Sequence, residues 1–328
     1  MNLLKLITPT NISEEKNSFL ASKSYNPVFQ YNHADVIIID TPITQKEFLI
    51  NAVLKHDDAE IIQCAEQYFE TDLKEFLDEA KKIITKTQPS TISFNFDEFN
   101  DLFNEANTIL GTQFSLKVVD QHGFNNRLNY KTKELLFSKH AHFDFFSARS
   151  AIQHEFTHII RYINHIYNKL PHYDSYLPTE EGLATLMSDS VKGTNYSEFQ
   201  HAMEYVASSI GSKGSLREIY NFFVEHGFSE DLAWQRSIRH KFGFTDTSKL
   251  GDIIKPAMYF AHSRVIAKQP KEQILKLFQG RISVDAIDDV KGLMGQITED
   301  HIANFFDYFN GSSGKVMGKG LTFHNEIK

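Results

Sequence analysis

Apolar side chains recur along this chain at three- and four-residue spacing, the pattern of helices with one buried face. Ile61, Ala65, Tyr68, Phe69, Phe76, Leu77, Ala80 and Ile84 make residues 46–86 a helical stretch. Residues 96–110 read as another helix. The spacing then changes to two, with Phe114–Asp120 alternating like a strand and Asn129–Phe137 supplying one or two more around turn residues Gly123–Asn126. Helical spacing returns over about 147–168 and, after Pro171 and Pro178, in a helix that begins at Thr179, with Thr179 as N-cap. Further helices are expected at about 196–210, 215–227, 230–241, 256–267, 270–278 and 298–309. Residues 1–45 lack strong periodicity, and Tyr25–Tyr31 reads as an extended segment stapled to the body by its aromatic residues. Thr87–Thr91 breaks the pattern and marks a division: 1–90 as an extended segment and helices, 91–328 as the main domain, or both as one continuous domain.

The helix at 147–168 carries His154-Glu155-Phe156-Thr157-His158, an H-E-x-x-H pattern. Residues four apart on a helix lie about 40° from each other around the axis and one turn apart, so both histidines can face one zinc ion. Glu155, about 100° round, is placed to reach a water on that ion. Ala151, Ile152, Phe156, Ile159 and Ile160 flank the motif and lodge it in a core. A divalent cation compensates such a buried polar set.

Composition narrows the function. The 328 residues carry a formal charge of −8, with a pI near 6.0. Nucleic acid is therefore an unfavourable partner. Cys64 is the lone cysteine, so no internal disulfide forms, as suits a reducing compartment. No signal peptide or membrane span is expected, which makes the cytoplasm the default location; export by a specialised system leaves no mark to read. Lys315–Gly320 lacks the glycine spacing of a phosphate loop, and Asn310–Gly314 reads as a flexible turn.

Two histidines need a third protein ligand, with one position kept for water. Extending the motif along its own helix fails, because Arg161 and Asn164 stand where Gly and His are required. His165 is about 10 Å further along the axis than His158, too far to share an ion. Glu181, 23 residues after His158, matches the arrangement of glutamate-liganded zinc peptidases, with Gly182 letting the two helices approach. Glu180 is the rival, its other role being favourable charge at a helix start. His140 and His142, in the connection before the metal helix, are candidates to line the cleft.

Thr179-Glu180-Glu181-Gly182-Leu183-Ala184 resembles the signature of the microtubule-associated tyrosine carboxypeptidase family, whose bacterial relatives carry Q-E-G-L-A. Further pieces agree in order: Asn26-Pro27 with Phe29 and Tyr31, Thr157–Arg161 with Asn164, and Thr245–Lys249 followed by Lys255 and Tyr259. The resemblance spans residues 15–270. It implies a mostly helical zinc peptidase that removes a C-terminal aromatic residue from a protein, with the Glu before Gly, Glu181, as ligand. Family members usually carry H-E-x-x-x-H; this chain has the shorter spacing, and Glu180 in place of Gln.

The expected fold class is α+β, mainly α: a gluzincin-like zinc peptidase with a small β-sheet preceding the H-E-x-x-H helix. One zinc per chain is expected on His154, His158 and Glu181, with Glu155 as general base and Tyr259 donating a hydrogen bond to the tetrahedral intermediate. Arg161, Arg236, Arg239 and Lys255 are the candidates to bind the free carboxylate of a protein or peptide substrate, such as a tubulin-like tail. Arg161 has a second candidate role, neutralising buried carboxylates behind the metal. Arg236, Arg239 and Lys241 have theirs in charge pairing at a helix end. The alternatives are a zinc endopeptidase or aminopeptidase with the same metal site, and a non-catalytic zinc-binding regulator, which has no need of Glu155.

Overall fold

The computed structural model describes residues 3–34, 36–87, 95–120, 126–139, 147–191 and 196–310. In chain order the elements are α1 (Leu3–Ile7), α2 (Ile12–Ala21), α3 (Gln45–Lys55), α4 (Asp58–Phe69), α5 (Leu77–Lys86), α6 (Phe96–Leu110), β1 (Ser115–Val119), β2 (Asn126–Asn129), β3 (Glu134–Ser138), α7 (Ala148–Tyr167), α8 (Tyr176–Asp189), α9 (Tyr196–Gly211), α10 (Leu216–Glu225), α11 (Glu230–His240), α12 (Lys255–Ala267), α13 (Lys271–Leu277), a 3₁₀ turn (Val284–Val290) and α14 (Glu299–Phe309). The chain is thus mainly helical, with a small sheet preceding α7, as expected. None of the described helices is long and apolar enough to cross a membrane. His140 and His142, most of the turns at 87–91 and 123–126, and Gly311–Gly320 lie outside the described residues.

The helical run at 46–86 is three helices. His56 and Glu70 adopt left-handed backbone, which stops α3 and α4. Asp57 then caps α4 by accepting from Glu60 N. Helices α1 and α2 occupy part of the stretch without periodicity. Five and ten residues long, they bury only Leu3, Leu6, Ile7 and Phe19, too few to make a repeating pattern.

The chain forms two compact units, residues 1–86 with 201–261, and 87–200 with 262–328. The divisions at 200/201 and 261/262 fall inside α9 and α12. In the first unit the extended segment at 25–31 is pinned by backbone and side chain: Val28 bridges Asp246, Phe29 N donates to Thr245 O at 2.8 Å, and Tyr31 Oη donates to Phe244 O at 2.8 Å.

In the second unit β3 is the central strand, parallel to β1 and antiparallel to β2, with Leu135, Leu136 and Phe137 buried. Helix α7 runs through the core. Ser147 caps it, and Ile152, Phe156, Ile159 and Ile160 are fully buried. Phe156 meets Phe103 of α6 and Phe305 of α14 at centroid distances of 5.2 and 5.7 Å. Further along, Asn164 donates to Phe278 O and Ile297 O and accepts from Ile297 N. Arg161 donates to Leu277 O, Gly280 O and Ile282 O. These bonds satisfy loop carbonyls that burial would otherwise leave unpaired, and they lock the rotation of α7 about its axis.

Candidate metal centre

Helix α7 is regular through the motif, so His154 and His158 project from one face, ring centroids 4.9 Å apart and planes at 81°. Helix α8 packs against α7 and brings the carboxylates. It begins earlier than the sequence suggests, at Tyr176 with Ser175 in the N-cap position. Pro178 sits in its first turn, where a missing N–H leaves no helical bond unmade. Thr179 is therefore an interior residue and not the N-cap; its hydroxyl accepts from Val284 N at 3.0 Å. Glu180 and Glu181 lie past the first four residues of the helix, so Glu180 does not act as helix-start charge. Gly182 does allow a close approach, but to α12: a Cβ there would stand 2.5 Å from His262 Cβ and 2.7 Å from its carbonyl carbon.

One ligand atom each from His154, His158 and Glu181 falls within a span of 4.8 Å. Glu181 Oε2 is 3.6 Å from His154 Nε2 and 3.5 Å from His158 Nε2. Donors about 2.0–2.2 Å from a tetrahedral zinc stand roughly 3.3–3.6 Å from one another, so these two separations suit one such ion. His154 and Glu181 side chains are each 18% exposed, so the face they share is open to solvent.

Glu180 faces a different way. Its Oε1 is 3.1 Å from His158 Nδ1, and its Oε2 is 2.7 Å from Arg161 Nη1. It orients the histidine that Glu181 meets on its other nitrogen. Burial disfavours a charged His158, but the charges of Glu181 and Glu180 outweigh it and raise the imidazole to about 10. A field that favours a proton between those carboxylates also favours a divalent cation. Burial pushes the Glu180 carboxyl up, and Arg161, His158 and Arg281 more than reverse this, keeping it ionised. Glu155 is buried one residue along α7. Desolvation is the main influence and raises its pKa, partly offset by His154 and His158 and by a hydrogen bond from the Asn126 side chain. A carboxylate poised upward in this way is suited to taking and releasing a proton.

The expected substrate cations are distributed differently. Arg161, fully buried, is committed to Glu180 and to three backbone carbonyls, so it takes the neutralising role. Arg236 and Arg239 belong to the first unit, where both pair with Glu204, Arg236 at 2.9 Å and 5% exposed, Arg239 at 3.7 Å and more open. Lys241 is buried and donates to the carbonyls of Gly211, Gly214, Lys249 and Gly251, so it is not helix-end surface charge. Lys255 donates to Tyr259 Oη at 2.9 Å, and Tyr259 stacks on His201. His165 is structural, accepting from Arg281 N at 3.3 Å.

Sequence reasoning missed Arg281, Tyr130, Tyr176 and Asn126, all near the motif in the second unit. Arg281 lies in a non-helical connection after α13, where no periodicity or motif marks it. Asn126 and Tyr130 lie in and just after β2. No protein-family model matches the chain, and no curated protein matches it.

Proposed function

We propose that this protein is a zinc-dependent peptidase of gluzincin-like fold, acting as a carboxypeptidase that removes a C-terminal aromatic residue from a protein or peptide. The observation that most supports it is the convergence of His154, His158 and Glu181 beside a buried, upward-shifted Glu155. A structural metal site has no use for that fourth group. Bound on the three ligands, zinc supplies a polarised water and a Lewis acid for the scissile carbonyl.

The protein's own groups divide the remaining work. Glu155 takes a proton at its carboxylate as attack begins and returns it to the leaving amine nitrogen. Glu180 holds His158 by Nδ1, so that Nε2 faces Glu181 and would be presented to the metal. Arg161 keeps Glu180 charged from behind.

The aromatic preference comes from the resemblance to the microtubule-associated tyrosine carboxypeptidase family, as does the idea of a tubulin-like tail. One observation favours the endopeptidase reading instead: Arg161 and Arg236, two of the four cations expected to read a terminal carboxylate, are enclosed in ion pairs. A peptide ending in Tyr, tested free and C-terminally amidated, separates the two. The carboxypeptidase reading expects kcat/KM to fall by on the order of 10²-fold on amidation. Equal cleavage of both, or internal cuts, would replace it with the endopeptidase reading.

A further inference from the structure

Arg281 is a second cation on Glu180, beside the candidate metal ligands. Glu180, its nearest carboxylate, already has Arg161 at 2.7 Å, while Arg281 Nε stands 3.5 Å from Glu180 Oε1 without forming a hydrogen bond. The guanidinium is held in place by other means. Its Nη2 donates to Tyr176 Oη at 2.6 Å, and the group lies 4.3 Å from the Tyr176 ring centroid and 5.0 Å from that of Tyr130. Tyr130 is itself stacked on Tyr162 of α7 at 4.3 Å. The rings of Tyr130 and Tyr176 and the Tyr176 hydroxyl thus fix the plane of the fork, and none of these contacts uses Nη1. The side chain is 22% exposed, where Arg161 is fully enclosed.

Charge points the same way. Glu155, Glu180 and Glu181 against Arg161 and Arg281 leave one negative charge in excess when the histidines are neutral; a divalent ion reverses this to one positive charge. A site so balanced accepts a monoanion without burying net charge. Arg281 also feels the charge of the candidate ligand Glu181.

We infer that Arg281, clamped between Tyr130 and Tyr176, is the receptor for the free C-terminal carboxylate of the substrate. The inference rests on the peptidase reading above and gives it the terminal-anion contact that Arg161 and Arg236 do not supply. A guanidinium fork binds a carboxylate by two parallel hydrogen bonds, which a lysine or an uncharged side chain cannot reproduce.

The test compares zinc-loaded wild type with Arg281→Met and Arg281→Lys on free and amidated peptides ending in Tyr, and titrates N-acetyl-L-tyrosine and its amide calorimetrically. Wild type is expected to favour the acid in both assays. Arg281→Met should lower kcat/KM for the free peptide by about 10–100-fold more than for the amide, mostly through KM. It should also abolish the acid-over-amide preference in the titration. Arg281→Lys, with the charge but not the fork, should fall between, and it carries the test if the Met variant loses zinc or fold. Acid preference surviving in the variants, or acid and amide activity lost in equal proportion, overturns the assignment. If wild type cleaves neither peptide but Arg281→Met still loses the calorimetric preference, the peptidase reading fails and the carboxylate site stands. If wild type treats acid and amide alike in both assays, the carboxylate site falls.

Discussion

Glu180 Oε1 lies 3.1 Å from His158 Nδ1, while Glu181 approaches the same ring at Nε2. Two successive residues of α8 therefore hold opposite nitrogens of one imidazole, one as candidate ligand and one as orienting acceptor. Glu180→Gln keeps the shape, removes the charge and leaves Arg161 buried beside a neutral partner. Zinc affinity, measured by competition with a chelator, should drop by about 10–100-fold. An unchanged affinity would remove the carboxylate from any role at the metal, and would fit the Gln found at this position in the Q-E-G-L-A motif.

Protein purified without added metal should contain one zinc per chain. His158→Ala and Glu181→Gln each delete one of the three converging donors. Elemental analysis should show both well below one equivalent. Full occupancy in either variant would mean that the ligand has been misassigned.

Glu155→Gln should retain zinc and fold but lose turnover, because the amide cannot accept a proton. A fall in kcat of about 10³-fold or more is expected, since the rest of the centre is untouched. Activity within about tenfold of wild type would place the general base elsewhere.

A pH effect should arise in the first unit. His240 is fully buried, with Nε2 2.9 Å from Glu204 and Nδ1 2.9 Å from Asp252. Burial lowers its pKa, but Asp252 and Glu204 outweigh burial and raise it to about 9. The folded state thus binds a proton that the unfolded chain releases near pH 6.5. This contribution is fully present below about pH 6.5 and is lost as pH rises through about 9. Lys241 acts with the opposite sign, burial pushing it down to about 8, so its contribution grows above that pH. Thermal denaturation should show stability falling between pH 6.5 and 8, and His240→Gln should flatten that slope. A wild-type stability constant over this window would rule out the charged imidazole.

Much of this architecture is legible in the sequence because its causes are local. The apolar spacing that marks 96–110 is the buried face of α6, and Phe156 flanked by isoleucines places α7 in a core. The ligand face of α7 follows from helical geometry alone. What lies beyond sequence reading depends on tertiary contacts. Pro178 looks like a boundary, yet a proline fits equally before a helix or in its first turn, and here it falls in the first turn of α8. Whether Glu180 or Glu181 faces the histidines depends on the rotation of α8, which Gly182 against His262 helps to set. The unit divisions at 200/201 and 261/262 leave no mark because α9 and α12 continue through them. Arg281 is brought to the site by the path of the chain after α13.

The anchoring of α7 by Asn164 and Arg161 constrains how this motif can evolve. Inserting one residue between the two histidines, to give the longer spacing, would turn every later side chain by about 100°. His158 would leave Glu181, and Asn164 and Arg161 would swing away from the carbonyls at 277–282 and 297 that they now satisfy. Only a bulge that absorbs the added residue before His158 would restore the register. The two spacings are thus separated by a coordinated insertion and helix distortion, with an intermediate that loses both the convergence of the three candidate ligands and the packing. A lineage carrying the short form is held there by its core as firmly as by its chemistry.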